Sequence, residues 1–220
     1  STAEASTVVQ TAANAIVGTR PGCGKPQHVR FLSKQFYDEQ MAKYEAARKK
    51  GEVAWKPPPV WSGKSPKDYD GTYISGKNFD AIMKDLESIG GSKCISVLEF
   101  SGHAQLSDGI TIGDLRYDET EAKYGKGNFW QTYIDESSAK KFAEHLARVF
   151  EKNCCKPKLL ILESCVLGNY TKSDIQNRAG ETIAAKSTVQ IIANTLEIPV
   201  LSPGGYSSGS FFSPNYSPRA

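Results

Sequence analysis

The chain has 220 residues, 39% of them hydrophobic, and a net charge of +3 at pH 7. It is long enough to bury the core of one globular domain, and no apolar run approaches the roughly 18 residues of a membrane helix, so we expect no membrane span. Acidic and basic residues are interspersed, and the densest basic cluster, residues 48–50, is short. Such a cluster favours a solvated helix end over a nucleic-acid site.

The N-terminal third gives mixed signals. Residues 1–26 are small, polar and dotted with glycine, which predicts an arm or edge element before a single α/β domain at residues 27–220. His28 is placed in a loop, with no partner identified. The spacing of Tyr37, Met41 and Tyr44 predicts a helix over residues 33–50 that ends before Gly51. A long loop rich in proline and glycine follows it.

The middle of the chain is much clearer. Apolar residues at helical spacing over positions 79–89 predict a helix, which Gly90-Gly91 end directly before an apolar strand at residues 95–100. The turn signal Asp108-Gly109 precedes Ile110, Ile112 and Leu115, which predicts a short local hairpin.

The remaining elements continue the alternation of helices and strands. Ser137 or Ser138 is expected to cap a helix that buries Phe142, Leu146 and its later apolar positions, and a strand at residues 159–162 follows. A helix over residues 181–196 and a strand at 198–201 complete the pattern. This order predicts a three-layer α/β/α sandwich with a mostly parallel sheet.

Cysteine usage bears on compartment and metals. Five cysteines are few for this length, and Cys154 and Cys155 are adjacent, so we expect no disulfide framework. We therefore expect a reducing, cytoplasmic location. A secreted effector and a processed fragment are the alternatives. The cysteines lack metal-ligand spacing, so we expect neither a metal nor a cofactor. His145 lies on a predicted helix flank, where a structural role is favoured.

Two familiar patterns fail on inspection. Residues 22–26 resemble the end of a phosphate-binding loop, but proline follows the lysine and Thr19 stands where the first glycine belongs. Residues 205–209 match a nucleophile-elbow pattern, yet no histidine occurs beyond His145 and too little chain follows for the helix that this motif requires.

Two polar strings follow the two best-defined apolar strands. Ser101-Gly102-His103 follows the first, and Glu163-Ser164-Cys165 follows the second. The carboxyl ends of parallel strands share one edge of a sheet, so His103 and Cys165 are expected to meet there. A thiol with a pKa of about 8.5 is mostly protonated at neutral pH, and a neighbouring histidine is the base that activates it.

These strings resemble the caspase-hemoglobinase clan of cysteine peptidases. Metacaspases are the most similar in local sequence, and legumain and CHAT domains share the same placement of the two motifs after strands. The resemblance implies a caspase-like sheet and a cysteine endopeptidase with His103 and Cys165 as its catalytic dyad. It also implies an oxyanion hole formed by the backbone N–H groups of Cys165 and Ala104. Ala104 departs from the glycine of the family, and alanine would be strained there if the position required positive φ.

The same resemblance suggests a substrate pocket. Glu163 shares a strand face with Cys165, and a carboxylate there would favour cleavage after Lys or Arg; the alternative is a strand-end carboxylate that pairs with a lysine. The loop at residues 204–209 would help to wall the pocket, which makes Ser202, Gly204 and Tyr206 candidate substrate-binding residues.

The expected partner is therefore a protein or peptide substrate, which includes this chain itself if it is self-processing. A non-catalytic caspase-like interaction or regulatory module is the alternative, favoured by Ala104. A different thiol chemistry on the same dyad, acyl transfer or deamidation, is a third option. The sequence sets no oligomeric state.

Overall fold

The computed structural model describes residues 22–104, 109–164 and 188–202. Its strands are β1 (Gly24–Ser33), β2 (Tyr73–Gly76), β3 (Lys93–Ser101), β4 (Ile110–Thr111), β5 (Tyr133–Ile134), β6 (Leu159–Glu163) and β7 (Val200–Leu201). Its helices are α1 (Lys34–Lys50), α2 (Phe79–Gly90), α3 (Tyr117–Tyr124), α4 (Glu136–Lys152) and α5 (Thr188–Leu196).

A parallel sheet organises these elements. Five strands pair in the order β2-β1-β3-β6-β7, and every pair is parallel. Helix α1 contacts β1 and β2, whereas α2 packs on α4 and α4 packs on α5. The predicted three-layer α/β/α sandwich with a mostly parallel sheet is thus confirmed.

Alternation along the strands sorts the core onto the two faces of the sheet. On β6, Leu160 and Leu162 join the large apolar cluster formed with α2, α4 and α5, whereas Leu159 and Ile161 join Val97 in a second, small cluster. Successive side chains of a strand point to opposite faces, so this division follows directly from the sequence of β6.

Helix boundaries follow from identifiable caps. Ser33 accepts a hydrogen bond from the N–H of Phe36 to begin α1, and Gly51 ends that helix with φ of +74°. The residue that caps the N-terminus of helix α4 is Asp135 rather than Ser137 or Ser138. The carboxylate of Asp135 accepts from the N–H of Ser138, and the hydroxyl of Ser138 accepts from the N–H of Asp135 in return.

Several predictions were wrong, and several observed elements were not predicted. Residues 24–33 form the long strand β1 in the middle of the sheet, so His28 lies in a strand and not in a loop. The proline-rich connection contains β2, and α3 was not predicted. Ile110 and Thr111 form no local hairpin, because they pair antiparallel with the distant β5. The part of the predicted last helix at residues 181–187 lies outside the described residues.

Residues 110–114, here called the β4 segment, cross the carboxyl ends of three core strands. The N–H of Thr111 donates to the carbonyl of His103 after β3, and Ser33 at the end of β1 donates its hydroxyl to the carbonyl of Gly113. The N–H of Asp114 donates to the carbonyl of Lys77, just beyond β2. These bonds fix the backbone of the edge at which His103 lies.

The amino ends of the strands are joined covalently. Cys23, just before β1, forms a disulfide with Cys154, and Cys94, at the start of β3, forms one with Cys155. The expectation that no disulfide framework exists was therefore wrong. Adjacent cysteines seldom form a disulfide with each other, but here Cys154 and Cys155 bond to cysteines at two different strands. The reason given for a reducing compartment is lost with it.

Each disulfide is expected to stabilise the fold measurably. The bridges span 131 and 61 residues, and closing loops of this size lowers the unfolded-state chain entropy by the equivalent of about 4–5 kcal/mol each. Replacing either pair with alanines should lower the free energy of urea unfolding by about 2–4 kcal/mol. An unchanged unfolding midpoint after reduction with dithiothreitol would contradict this.

A second prediction concerns Gly102, whose backbone lies against the β4 segment. A Cβ atom at this position would come within 1.9 Å of the carbonyl oxygen of Thr111. Gly102→Ala should therefore lower the free energy of unfolding by about 1–3 kcal/mol, since the backbone has to shift. Gly24→Ala is the matched control, because its Cβ would meet its nearest neighbour at an ordinary 3.6 Å. Equal stabilities of the two variants would refute the close approach.

Candidate active site

His103 lies at the point where the strand order of the sheet reverses. From β1 the chain moves outward to β2 and then returns to β3 on the other side of β1. In open α/β sheets the crevice at the carboxyl ends of two such strands is the usual place for a ligand. His103 comes two residues after β3 and lies beside this crevice.

The register of β3 with β6 brings the two predicted polar strings to one edge. Ser101 pairs with Glu163, and the N–H of Gly102 donates to the carbonyl of Glu163 at 3.1 Å. His103 and Cys165 are each two residues beyond this pair. Cys165 itself lies outside the described residues.

Two neighbours from α1 hold the ring of His103. Phe36 contacts it edge-on, with the ring centroids 4.6 Å apart, and Nε2 of His103 lies 3.1 Å from Oε2 of Glu39. Burial lowers the pKa of His103; the carboxylate of Glu39 acts against this, but the net pKa is below its ordinary value. A neutral imidazole at neutral pH is the form that a general base requires.

Glu39 is itself held by further donors. Its Oε1 accepts hydrogen bonds from the side chains of Gln35, one turn earlier on α1, and Arg116, the latter at 3.3 Å. Our sequence reasoning named none of these residues. The available signal was the polar row formed by Gln35, Glu39 and Lys43 at intervals of four, which puts all three on one face of the helix.

These residues surround an open cleft of about 410 Å³. Its described lining combines acidic, basic and neutral polar side chains with Ala104: Gln35, Glu39, Lys43, His103, Ala104, Arg116 and Asp118. A volume of this size falls within the range of ligand-binding clefts. Its charges are mixed, so the described lining selects no single charge type.

The backbone at Ala104 is not strained. Among the described non-glycine residues only Glu197 has a positive φ, so Ala104 occupies a conformation that any L-residue adopts. The structural objection to alanine in place of the family's glycine therefore does not arise at this position. Ala104 lines the cleft beside His103, where the resemblance would put an oxyanion donor.

Glu163, the proposed pocket acid, is buried. Its side chain belongs to a residue only 6% exposed, and Oε2 lies 2.9 Å from the hydroxyl of Ser101. It does not belong to the described lining of the cleft. Glu163 thus contacts a buried serine, and its pairing with a lysine stays an alternative prediction.

Ser101 joins Glu163 to a second buried carboxylate. The hydroxyl of Ser101 also lies 2.9 Å from Oε1 of Glu99, which is fully buried and accepts a hydrogen bond from Tyr73 at 2.7 Å. Nε2 of His28 lies 2.7 Å from the other oxygen of Glu99. The sequence identified no partner for His28, and the structure gives it Glu99. A charged residue inside the apolar β3 sequence was the available signal for this network.

The electrostatics of Glu99 follow from these contacts. Burial alone raises the pKa of this carboxyl, but the contacts with His28, Tyr73 and Ser101 outweigh burial and lower it below the ordinary value. Glu99 is accordingly ionised at neutral pH. A hydroxyl carries one hydrogen, so Ser101 donates to only one of its two carboxyl neighbours at a time.

The other predicted site residues do not line the described cleft or lie outside the described residues. Ser202 directly follows β7, at the same carboxyl edge as His103, but it does not line the described cleft. Gly204 and Tyr206 lie outside the described residues. His145 contacts the rings of Phe79 and Trp130, as a structural side chain on a helix flank does.

The described ranges contain no group of three or more histidine, cysteine, aspartate or glutamate side chains arranged to hold a metal ion. None of their helices has the length and apolar character needed to cross a bilayer.

Comparison with known proteins gives no relative. No family model, no curated protein and no solved structure matches this chain.

The buried carboxylate of Glu99 predicts a specific dependence of stability on pH. Because its pKa is lowered on folding, its contribution is present above the unfolded pKa of about 4.3 and is lost as the pH falls through the folded value. Glu99→Gln should cost about 3 kcal/mol near pH 7, and the gap from the unsubstituted protein should shrink below pH 4.

Urea unfolding at pH 7 and pH 3.5 measures this gap. Glu87→Gln is the control, because Glu87 is exposed and pairs with Lys152 at the surface, where an ion pair contributes less than about 1 kcal/mol. A gap for Glu99→Gln that grows on acidification would show that the carboxylate is not stabilising in the folded state.

Proposed function

We propose that this protein is a cysteine endopeptidase that cleaves protein substrates with Cys165 as nucleophile and His103 as general base. The observation that carries the proposal is the pairing of Ser101 with Glu163, since each proposed catalytic residue follows two positions later. Two residues of chain span at most about 7 Å, so the proposal needs no long excursion of the chain between this pair and either catalytic residue. The caspase-like layout inferred from the sequence is part of the proposal.

The disulfides add independent support. The chain has five cysteines, and the four that the structure describes form two disulfides. Cys165 is the fifth, and it has no cysteine left in the chain with which to pair. An unpaired cysteine in an otherwise disulfide-bonded protein is a candidate reactive thiol.

The chemistry of such a dyad takes two steps. His103 accepts the proton of the Cys165 thiol, and the thiolate attacks the carbonyl carbon of the scissile peptide bond. The carbon–nitrogen bond breaks as His103 returns the proton to the leaving amine, which leaves a thioester. Water then attacks the thioester while His103 takes its proton. The carbon–sulfur bond breaks, the acid product departs, and His103 returns the proton to the Cys165 thiolate. Backbone N–H groups of Cys165 and Ala104 would stabilise the oxyanion in each step.

Cleavage after Lys or Arg is the finer part of the proposal. Glu163 supplies a carboxylate on the strand that leads to Cys165. Its burial and its contact with Ser101 mean that a basic substrate side chain has to approach it at the carboxyl end of β6. Ser202, Gly204 and Tyr206 belong to the same proposed pocket, and self-processing is proposed with the chain as its own substrate.

A second candidate is a non-catalytic regulatory or interaction module with the same layout. The observation that favours it is that both polar residues at the edge already have internal contacts, His103 with Glu39 and Glu163 with Ser101. In such a module these contacts would serve stability alone.

Compartment follows from the same cysteines. Disulfides persist in secreted, periplasmic and other oxidising environments and are rare in the cytosol. We therefore propose an oxidising compartment, in place of the cytoplasmic location expected from the sequence.

Cleavage of peptide reporters by the purified protein tests the proposed activity. Cys165→Ala and His103→Ala should each reduce kcat/KM by about 10³-fold or more, because the two residues act as a unit. His145→Ala is the matched control and should retain activity. Mass spectrometry of the products distinguishes hydrolysis, which adds water across a peptide bond, from deamidation or acyl transfer.

Labelling with iodoacetamide under non-reducing conditions supplies a second measurement. Cys165 should be alkylated first, and faster than an ordinary thiol at pH 6–7, because the histidine increases its thiolate fraction. Full cleavage activity in Cys165→Ala would rule out the peptidase proposal. An unreactive Cys165 together with no cleavage would favour the regulatory module.

A further inference from the structure

The carboxylate of Glu39 is the charged group in direct contact with the ring of His103. Oε2 of Glu39 lies 3.1 Å from Nε2, while Oε1 accepts from Gln35 and Arg116. Both oxygens of the carboxylate are thereby fixed, and each side chain in the contact is only 30% exposed. The arrangement is held from two sides, since Gln35 belongs to α1 and Arg116 directly precedes α3.

The contact determines which ring nitrogen carries the proton. An ionised carboxylate only accepts hydrogen bonds, so Nε2 of a neutral His103 has to be the protonated nitrogen. Nδ1 then keeps its lone pair. Edge-on packing of Phe36 against the ring restricts the rotation that would exchange the two nitrogens.

We propose that Glu39 is a positioning residue that holds His103 in the tautomer whose Nδ1 receives the proton of Cys165. The inference rests on the proposed peptidase function and extends it from a dyad to three residues. When Nδ1 takes the proton, the ring becomes an imidazolium, and the carboxylate at Nε2 stabilises the new positive charge. The proton moves from sulfur to nitrogen, and no other reactant is needed.

Three charged groups of the cleft act on the pKa of this ring. Glu39 favours the protonated form of His103, whereas Lys43 on α1 and Arg116 oppose it. Asp118, on α3, also lines the cleft. Removal of the Glu39 charge should therefore lower the pKa of His103, and removal of the Arg116 charge should raise it.

Nuclear magnetic resonance of the histidine rings tests the inference without any turnover. His103 signals are assigned by their loss in His103→Gln, and the ¹⁵N shifts of the neutral ring report the protonated nitrogen. In the unsubstituted protein Nε2 should carry the proton. In Glu39→Gln the pKa of His103 should fall by about half a pH unit or more, and the Nε2–H tautomer should lose its dominance.

Two variants give the matched comparison. Glu45→Gln removes the same charge from an exposed site on the same helix and should leave the His103 titration unchanged. Arg116→Gln should move the pKa of His103 upward. An Nδ1–H tautomer in the unsubstituted protein, or a His103 titration that is the same in Glu39→Gln, would overturn the inference.

Kinetics connect the pairing to catalysis. The rate should rise with pH as His103 loses its proton, so Glu39→Gln should shift the acidic limb of kcat/KM to lower pH and reduce kcat about 10-fold or more. A purely structural effect would lower the rate without moving that limb, and would overturn the positioning role. Absence of cleavage by the unsubstituted protein would instead refute the proposed function, while the magnetic resonance data still decide the pairing.

Discussion

The in-register pairing of β3 with β6 is the constraint on which the rest of this structure depends. It puts Ser101 beside Glu163 and so aligns the two chain segments that leave the sheet toward the proposed site. A shift of one residue would exchange the faces of every side chain on one strand. Leu160 and Leu162 would then leave the main core, and Glu163 would lose Ser101. Packing of the apolar residues therefore enforces the alignment of the polar ones.

The two ends of the sheet are stabilised by different means. At the amino ends, two disulfides connect β1 and β3 to the segment that precedes β6. At the carboxyl ends, the β4 segment hydrogen-bonds to the ends of β1 and β3 and to Lys77 beyond β2. The proposed functional side chains lie at the carboxyl ends, where a cleft is open between α1, His103 and Arg116. The fold thus separates the disulfide-bonded end of the sheet from the end that is available to a ligand.

Sequence reasoning succeeded where one physical signal dominated. The helical spacing of Phe79, Ile82 and Leu86 and the apolar runs of β3 and β6 gave the correct elements, because burial on regular faces leaves a period in the sequence. It missed β1, whose sequence contains proline and alternates polar with apolar residues. On the polar face of β1, His28 reaches the buried carboxylate of Glu99, a contact that the local sequence pattern does not show.

The disulfides and Glu39 were missed for a related reason: both depend on contacts between parts of the chain that are distant in sequence. Spacing alone could not show that Cys154 and Cys155 face two different strands, or that a helix glutamate reaches His103. The burial of Glu163 was equally hidden, since its partner Ser101 lies 62 positions earlier. Local patterns located the strand ends, and tertiary packing determined what each side chain touches there.

The disulfides also set what a break in the backbone would do. A cut at any peptide bond between Cys23 and Cys154 leaves two fragments that are still covalently joined, because the Cys23–Cys154 bridge encloses that whole stretch. A cut beyond Cys155 has neither bridge across it, so noncovalent contacts alone would hold the described part of the C-terminal fragment in place. For a cut after β6, these include the pairing of β7 with β6 and the packing of α5 on α4. Backbone cleavage beyond Cys23 therefore has two outcomes, a nicked single molecule or a two-chain assembly, and the position of the cut relative to Cys155 decides between them.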